Sequence, residues 1–519
     1  MNIIHGDCLE ELKKLEDNSI DAVVCDPPYG LSNTKPQQVA DVLKAWVTGD
    51  TVSVPAKRGG FMGKDWDSFV PPPAVWEECM RVLKPGGHMA VFAGARTQDL
   101  MGLSIRLAGF EIRDTLGWIY GSGFPKSHDI GKAIDKKRDD NNDWKTVGSF
   151  LKSHRVSAGY VTRNSFADKI LNGHSNLASA AANLSNWENG LSFPTWERWE
   201  QLKDLLDLPD DMDAEVWRLN GRKGTPGEAW EKREVVGKYQ SGLHTGPSGV
   251  GGHGEGGAVT TSHSDEAKQW DGWGTALKPA IEPIILARKP LDGTVANNVL
   301  AHGVGGLNID ACRVPSDTPI PSHHGTSGAA GVTMGKYRDY VPGSETAASV
   351  ENVQTAGRFP ANVLLDEHAA KEMDEQSGNV NGVVGMKKVP GGHNFNIGEH
   401  TPQKFNKTSE RIQDSGGASR FFPVFKYQAK APKKERPVIE REDGTKIQHP
   451  TVKPLALLEW LVELITPPNG TVLDPFAGSG TTLQAALNKG FTPIGIEQDA
   501  DYIKLIEKRL EATCTTRKN

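Results

Sequence analysis

Thr471-Val472-Leu473-Asp474-Pro475-Phe476-Ala477-Gly478-Ser479-Gly480-Thr481-Thr482 decides the fold: an apolar strand, a turn of small residues, then the opening of a helix. Small residues at such a turn let a ligand approach the backbone and the helix N-terminus closely. The residues at the helix start exclude two nucleotide motifs. A phosphate-binding P-loop needs Gly-Lys-Ser/Thr there, but Gly480 leads into Thr481-Thr482 and the loop holds no lysine. The dinucleotide fingerprint needs a third glycine where this chain has Leu483. Glu497 ends the next apolar run, where an acidic side chain can accept hydrogen bonds from both hydroxyls of an adenosine ribose. An adenosyl ligand without phosphates fits; the bland alternative is a tight α/β turn followed by an incidental glutamate.

Outward from this loop the α/β rhythm continues. A helix is predicted over Thr481 to Asn488, closed by Gly490, then a strand over Thr492 to Glu497 and a helix over Asp499 to Leu510. The amino-terminal end carries the same pattern: a strand over Asn2 to His5, a helix from Cys8 to Leu15 and the apolar run Ala22-Val23-Val24-Cys25. Next come a helix over Val75 to Leu83, the turn Lys84-Pro85-Gly86-Gly87, a strand over His88 to Ala93, a helix over Thr97 to Leu107 and a strand over Ile112 to Tyr120. Alternation of this kind predicts a parallel sheet covered by helices on both faces. The middle differs. Trp144 to Leu219 is helix-rich and aromatic, Ser241 to Thr261 is dominated by Gly, Ser, Thr and His, and a second polar, Gly-rich stretch runs from Ser316 to Thr355. Between them Pro283-Ile284-Ile285-Leu286-Ala287 restores core-like sequence.

Composition narrows the class. The chain has 519 residues, 37% hydrophobic and 24% charged, with no apolar run near the roughly 18 residues of a membrane span. The amino terminus lacks a basic region followed by an apolar stretch, so the expected compartment is the cytoplasm. Five widely spaced cysteines without a Cys-x-x-Cys pair argue against a disulfide framework and a zinc site. The net charge of -6 opposes a uniformly basic surface, but Lys+Arg clusters at Lys136-Lys137-Arg138, Arg218 to Lys223 and Lys426 to Arg436 can form a local basic face.

A second motif, Asp26-Pro27-Pro28-Tyr29, comes directly after the apolar run at 22–25. Two prolines stiffen the turn and fix the directions of the Asp26 carboxylate and the Pro27 carbonyl, both hydrogen-bond acceptors. The amino group of adenine or cytosine is a poor nucleophile because its lone pair is delocalised. Two acceptors on its hydrogens favour a pyramidal nitrogen with the lone pair aimed at an electrophile such as a sulfonium methyl. Tyr29 offers a flat face for a base rotated out of a duplex. No metal is needed.

Taken together, Asp26-Pro27-Pro28-Tyr29 and Asp474-Pro475-Phe476-Ala477-Gly478-Ser479-Gly480-Thr481-Thr482 resemble the motifs of the DNA amino-methyltransferases. The catalytic motif precedes the cofactor motif, which resembles the circularly permuted order of the beta class and implies a seven-stranded, Rossmann-like α/β sheet. The resemblance implies S-adenosylmethionine as cofactor, held by Asp474, Phe476, Gly478, Ser479, Gly480, Thr481, Thr482 and Glu497. Gly6-Asp7-Cys8-Leu9-Glu10 is similar to that class's acidic motif near the adenine, suggesting Asp7 and Cys8 as contacts. His449-Pro450-Thr451-Val452-Lys453-Pro454 resembles the segment holding the methionine end, so that Lys453 and the Thr451 hydroxyl, near His449, would face the cofactor carboxylate. Leu116 to Lys126, Gly272 to Pro279 and Ser419-Arg420-Phe421-Phe422 look like phage or prophage members.

The implied organisation is a catalytic half over 1–131, a helical insert over 140–235, a Gly-rich flexible loop over 236–271 and a return to the core over 272–315. A variable candidate target-recognition region then spans 316–420 and the cofactor half 421–519. The insert resembles the helix-turn-helix fold of phage repressors, with Asn186-Trp187-Glu188-Asn189-Gly190 closing the recognition helix. Its tryptophans at 187, 196, 199 and 217 are expected in its own core. The implied reaction is methylation of the adenine 6-amino group in double-stranded DNA. Asp at position 26 favours this over the cytosine 4-amino group, over glutamine or RNA methylation and over a non-catalytic DNA-binding protein. Homodimerisation and a cognate restriction endonuclease stay open.

Overall fold

The computed structural model describes residues 2–32, 34–55, 67–121, 127–137, 141–170, 177–221, 228–238, 258–316, 320–321, 354–355, 357–388, 409–425, 436–441 and 443–516. It divides into two compact units, one made of 1–123 with 279–519, the other of 124–278.

The first unit is built on one sheet of nine strands: β1 (Asn2–His5), β2 (Ile20–Cys25), β3 (Leu83–Phe92), β4 (Glu111–Ile119), β5 (Ile281–Arg288), β6 (Val363–Asp366), β7 (Val424–Phe425), β8 (Thr471–Asp474) and β9 (Thr492–Glu497). Their spatial order is β1-β9-β8-β2-β3-β5-β4-β6-β7. Seven of them make the α/β sheet that the sequence implies, and β6 and β7 extend its edge beyond β4. β6 lies inside 316–420, so part of that stretch belongs to the core sheet.

All neighbouring pairs are parallel except those of β5, which runs antiparallel to both β3 and β4. The all-parallel expectation fails here for a topological reason. The chain leaves the sheet after β4 and re-enters at its side, where the Tyr120 amide donates to the Ala280 carbonyl at 3.1 Å. A strand that starts where its neighbour ends must run back along it. The predicted turn at 84–87 interrupts the β2–β3 pairing, whose register jumps from Ile20↔Leu83 to Ala22↔His88.

Strand alternation divides the core into two faces. Val23, Cys25, Met89, Val91, Ile285, Ala287 and Leu473 point to one side, against the helices Pro73–Val82 and Gln98–Leu107. Ala22, Val24, Ala90, Phe92, Ile284, Leu286 and Val472 point to the other, against Leu455–Ile465 and Thr481–Asn488. The stretches 22–25, 89–92, 284–287 and 472–473 at the centre of the sheet are therefore apolar at every position, as strand segments buried on both faces must be.

The second unit has its own core, formed by Val147, Leu151, Phe166, Leu184, Trp199 and Leu202 from the helices Asn141–Ser157, Arg163–Ala167, Leu177–Glu188 and Trp196–Leu206. Trp187 and Trp199 are buried and Trp196 packs at the edge, but Trp217 is 61% exposed, contrary to expectation, and meets Trp196 only edge-on at 4.8 Å. Within 236–271, residues 239–257 lie outside the described ones, while Ala258–Thr260 pairs with Val235–Lys238 and Asp265–Gln269 is helical. These segments are ordered by the buried Asp135. Its carboxylate accepts from the His263 and Ser264 amides and the Ser264 hydroxyl, and pairs with Arg233 at 2.6 Å.

Candidate active site

The two motifs meet because β8 lies beside β2. Val472 pairs with Ala22 and Leu473 with Val23, so the parallel strands deliver Asp474 and Asp26 to the same end of the sheet. That end is where open α/β sheets bind ligands.

In the loop after β8, Asp474 closes the strand and its Oδ1 accepts the Phe476 amide at 3.0 Å. Burial, only partly offset by hydrogen bonds from the Thr482 hydroxyl and the Phe476 amide, pushes its carboxyl up to about 7. Gly478 (φ +52°) and Gly480 (φ +76°) both use the left-handed region. A Cβ at Gly478 would sit 3.0 Å from His449 Nε2, and one at Gly480 3.0 Å from Ile506 Cγ2, so a side chain at either position would be strained and crowded. The Gly478 amide donates to Glu497 Oε2 and the Asp499 amide to Glu497 Oε1, each at 2.8 Å. Burial raises Glu497 as well. Ser479, Thr481 and Thr482 are buried, with the Ser479 and Thr481 hydroxyls 3.2 Å apart. Phe476 packs beside Trp76 with centroids 6.1 Å apart.

β1 brings Asp7 to the same edge, since His5 pairs with Glu497 and the Gly6 amide donates to the Glu497 carbonyl at 3.0 Å. Asp7 caps the helix Cys8–Leu12 by accepting from the Leu9 and Glu10 amides. Burial first, then Asp7, pushes the Cys8 thiol up to about 12, so it stays protonated. His449 Nδ1–H donates to the Thr451 carbonyl at 2.6 Å, its ring meets Tyr502 at 4.7 Å, and burial lowers its basicity.

Around Asp26 the turn is held from several directions. Asp67 Oδ1 accepts the Tyr29 amide at 2.7 Å and the Gly30 amide at 3.1 Å, while the Thr97 hydroxyl donates to the Tyr29 carbonyl at 2.6 Å. The Tyr29 hydroxyl donates to Asp26 Oδ1 at 2.8 Å. Lys453 Nζ donates to Asp26 Oδ2 at 2.7 Å and lies 3.4 Å from Glu282 Oε2. It also stands 5.2 Å from the Tyr29 ring centroid and 5.0 Å from that of Phe92. Burial alone would lower the Lys453 ammonium, but Asp26 and then Glu282 outweigh it and hold it above the ordinary lysine range. Burial, Asp26 and Glu282 all raise Tyr29, which stays a neutral phenol.

The structure thus assembles Asp26, Pro27, Pro28 and Tyr29 with Lys453 on one side and Asp474, Phe476, Gly478 to Thr482 and Glu497 on the other. Thr451 is exposed. Lys453, expected to face a cofactor carboxylate, reaches across to Asp26. Glu282, Asp67 and Thr97 are absent from the sequence-derived set. Only Glu282 carries a sequence signal, a carboxylate directly before the core-like run 283–287. Among the described residues no group of three or more His, Cys, Asp and Glu is placed to hold a metal ion, and no helix is long and apolar enough to cross a membrane.

Residues 361–508 match the DNA methylase family. The match covers under a third of the chain and includes the loop 474–482, Glu497 and Lys453, whereas Asp26 to Tyr29 and Glu282 lie outside it. Three curated relatives are similar over short stretches. Type II methyltransferase M.HinfI of Haemophilus influenzae is 47% identical over 77 residues, 15% of this chain and 21% of that protein. DNA adenine methyltransferase YhdJ of Escherichia coli is 48% identical over 63 residues, 12% and 21%. Type II methyltransferase M2.DpnII of Streptococcus pneumoniae is 46% identical over 65 residues, 12% and 24%. The chain thus spans about a quarter of the length of these relatives. A solved structure of an M1.HpyAVI–SAM complex aligns over 98% of both chains at 12% identity with a TM-score of 0.31, a likeness too weak to bear on function.

Proposed function

We propose that the chain is an S-adenosylmethionine-dependent methyltransferase acting on the 6-amino group of adenine in double-stranded DNA. The observation that carries this reading is the adjacency of β8 and β2, which sets an acceptor-bearing Asp-Pro-Pro-Tyr turn beside a phosphate-free adenosyl loop.

The cofactor loop fits such a ligand. Glu497 retains lone-pair positions for two ribose hydroxyls beyond the two amides it accepts, and left-handed glycines clear the backbone for close approach. The buried carboxylates of Asp474 and Glu497 suit a cationic partner. When bound, the cofactor supplies an electrophilic methyl on a positive sulfur. The chain's part is to hold and orient the nucleophile. Asp26 and the Pro27 carbonyl accept the two amino hydrogens, and Tyr29, braced by Asp67 and Thr97, stacks on the extruded base. The nitrogen lone pair then points away from its acceptors, toward the cofactor side. Asp26 also offers an acceptor for the proton that the methylated nitrogen must lose. A cytosine 4-amino group presents the same atoms. Asp at position 26 and a relative named as an adenine methyltransferase support adenine.

The test is transfer of labelled methyl groups from S-adenosylmethionine to unmodified DNA, with modified-base sequencing of DNA from expressing cells to give base and site together. Methyl on the adenine 6-amino group is expected. Cofactor binding without transfer to any DNA would defeat the enzymatic reading, and 4-methylcytosine would replace adenine.

A further inference from the structure

Asp26 carries two donors in addition to the amino group it is proposed to receive: the Tyr29 hydroxyl on Oδ1 at 2.8 Å and the Lys453 ammonium on Oδ2 at 2.7 Å. Each of those donors has one further acceptor nearby, and it is the same atom. Glu282 Oε2 lies 3.4 Å from Lys453 Nζ and 3.5 Å from the Tyr29 hydroxyl. Glu282 is the second residue of β5, the antiparallel strand threaded between β3 and β4, and its side chain is 25% exposed. The Lys453 ammonium stands over the Tyr29 and Phe92 rings, 5.2 and 5.0 Å from their centroids, within reach of both carboxylates.

A carboxylate fully engaged by an ammonium and a phenol is a weaker acceptor for a third, neutral N–H donor, because its charge is already compensated. We infer that Glu282 is a positioning residue for Asp26, taking up the Lys453 ammonium and the Tyr29 hydroxyl as a substrate amino group binds the Asp26 carboxylate. The inference rests on the methyltransferase reading for its substrate, though the Glu282–Lys453 contact stands without it. Without Glu282, Asp26 is the one carboxylate left to Lys453 among the described residues, and Lys453 competes directly with the amino group.

Glu282→Gln keeps shape and hydrogen bonding but removes the charge. With Lys453 tied to Asp26, kcat on DNA is expected to fall about tenfold or more at an unchanged KM for S-adenosylmethionine, the size of loss that misplacement of a reacting group produces. Glu282→Asp should recover most of it. If Glu282 acts through Lys453, the double variant E282Q/K453M should be no slower than Lys453→Met alone, whereas a structural role would make the two losses multiply. A second measurement needs no activity: the rate of reductive methylation of Lys453 at pH 9, followed by peptide mass spectrometry. Loss of one of its two counter-charges should speed that labelling severalfold in Glu282→Gln. Equal labelling in wild type and variant, an unchanged kcat, or multiplicative losses would each overturn the inference. Wild-type protein inactive on every DNA would instead remove the methyltransferase reading, and the labelling would still decide whether Glu282 holds Lys453.

Discussion

The buried carboxyl of Asp474 makes the stability of the sheet depend on pH in an unusual direction. Asp474 is 2% exposed, and burial lifts it from its ordinary value of 3.8 to about 7, with Asp26 and Glu497 adding to the rise. An acid whose folded pKa lies above its unfolded one loses its proton first in the unfolded chain. Stability therefore falls as pH rises from about 4 to about 7 and is level beyond. At about 1.4 kcal/mol for each tenfold change in acidity, the loss is about 4 kcal/mol. Asp474→Asn keeps an acceptor for the Phe476 amide and removes the ionisation. Urea unfolding of wild type and variant at pH 4 to 8 should show the variant gaining about 4 kcal/mol on the wild type across that range, with most of the gain between pH 4 and 7. A difference that stays flat with pH would refute the reasoning. The same ionisation ties stability to ligand binding: a cationic sulfonium favours the charged carboxylate, so S-adenosylmethionine affinity should climb toward pH 7 more steeply in the wild type than in the variant, which keeps only the raised Glu497.

Asp26→Ala removes the side-chain acceptor and should abolish methyl transfer while calorimetry still finds S-adenosylmethionine bound, since Asp26 is outside the cofactor loop. Gly478→Ala forces a side chain into a left-handed position 3.0 Å from His449, and cofactor affinity should drop by about tenfold or more, with near-normal thermal unfolding locating the damage in the loop. In the second unit, Arg155→Ala strands the fully buried Glu188 carboxylate, which Arg163 alone then holds from a partly exposed position. A loss of about 3–5 kcal/mol in denaturant unfolding is expected for breaking such a pair.

The parts of this architecture that were legible in the sequence are those fixed by local chemistry. Thr471–Asp474 matches its prediction to the residue because an apolar run is bounded by the Asn469-Gly470 turn on one side and Pro475 on the other. Val23 and Val24 read as doubly buried because no polar residue interrupts 22–25, and the structure sends them to opposite faces. The direction of β5 was not legible, since it depends on where a long insertion hands the chain back, and no residue of 281–288 encodes that. The strand β6 was hidden for a related reason: its four residues come after a long polar, Gly-rich stretch, and they lie between the two-residue strand β7 and β4, which is far earlier in the chain.

The same distinction separates the site residues. Each motif could be recognised from its own residues, and even their adjacency is implied once both are placed on neighbouring parallel strands. What the sequence could not supply is which long side chain crosses from one motif to the other. A lysine after a His-Pro-Thr turn has an obvious partner in a ligand carboxylate, and that partner was expected of Lys453. In the structure its ammonium stands over Tyr29 and Phe92 and pairs with Asp26, with Glu282 arriving from a third segment to share it. A carboxylate proposed to accept a neutral amino group cannot be left alone in a partly buried site, where it would attract any cation. Nor can it be saturated by one. Splitting a single ammonium between two carboxylates meets both requirements, and it does so only when residues 26, 282 and 453 are brought together by the sheet.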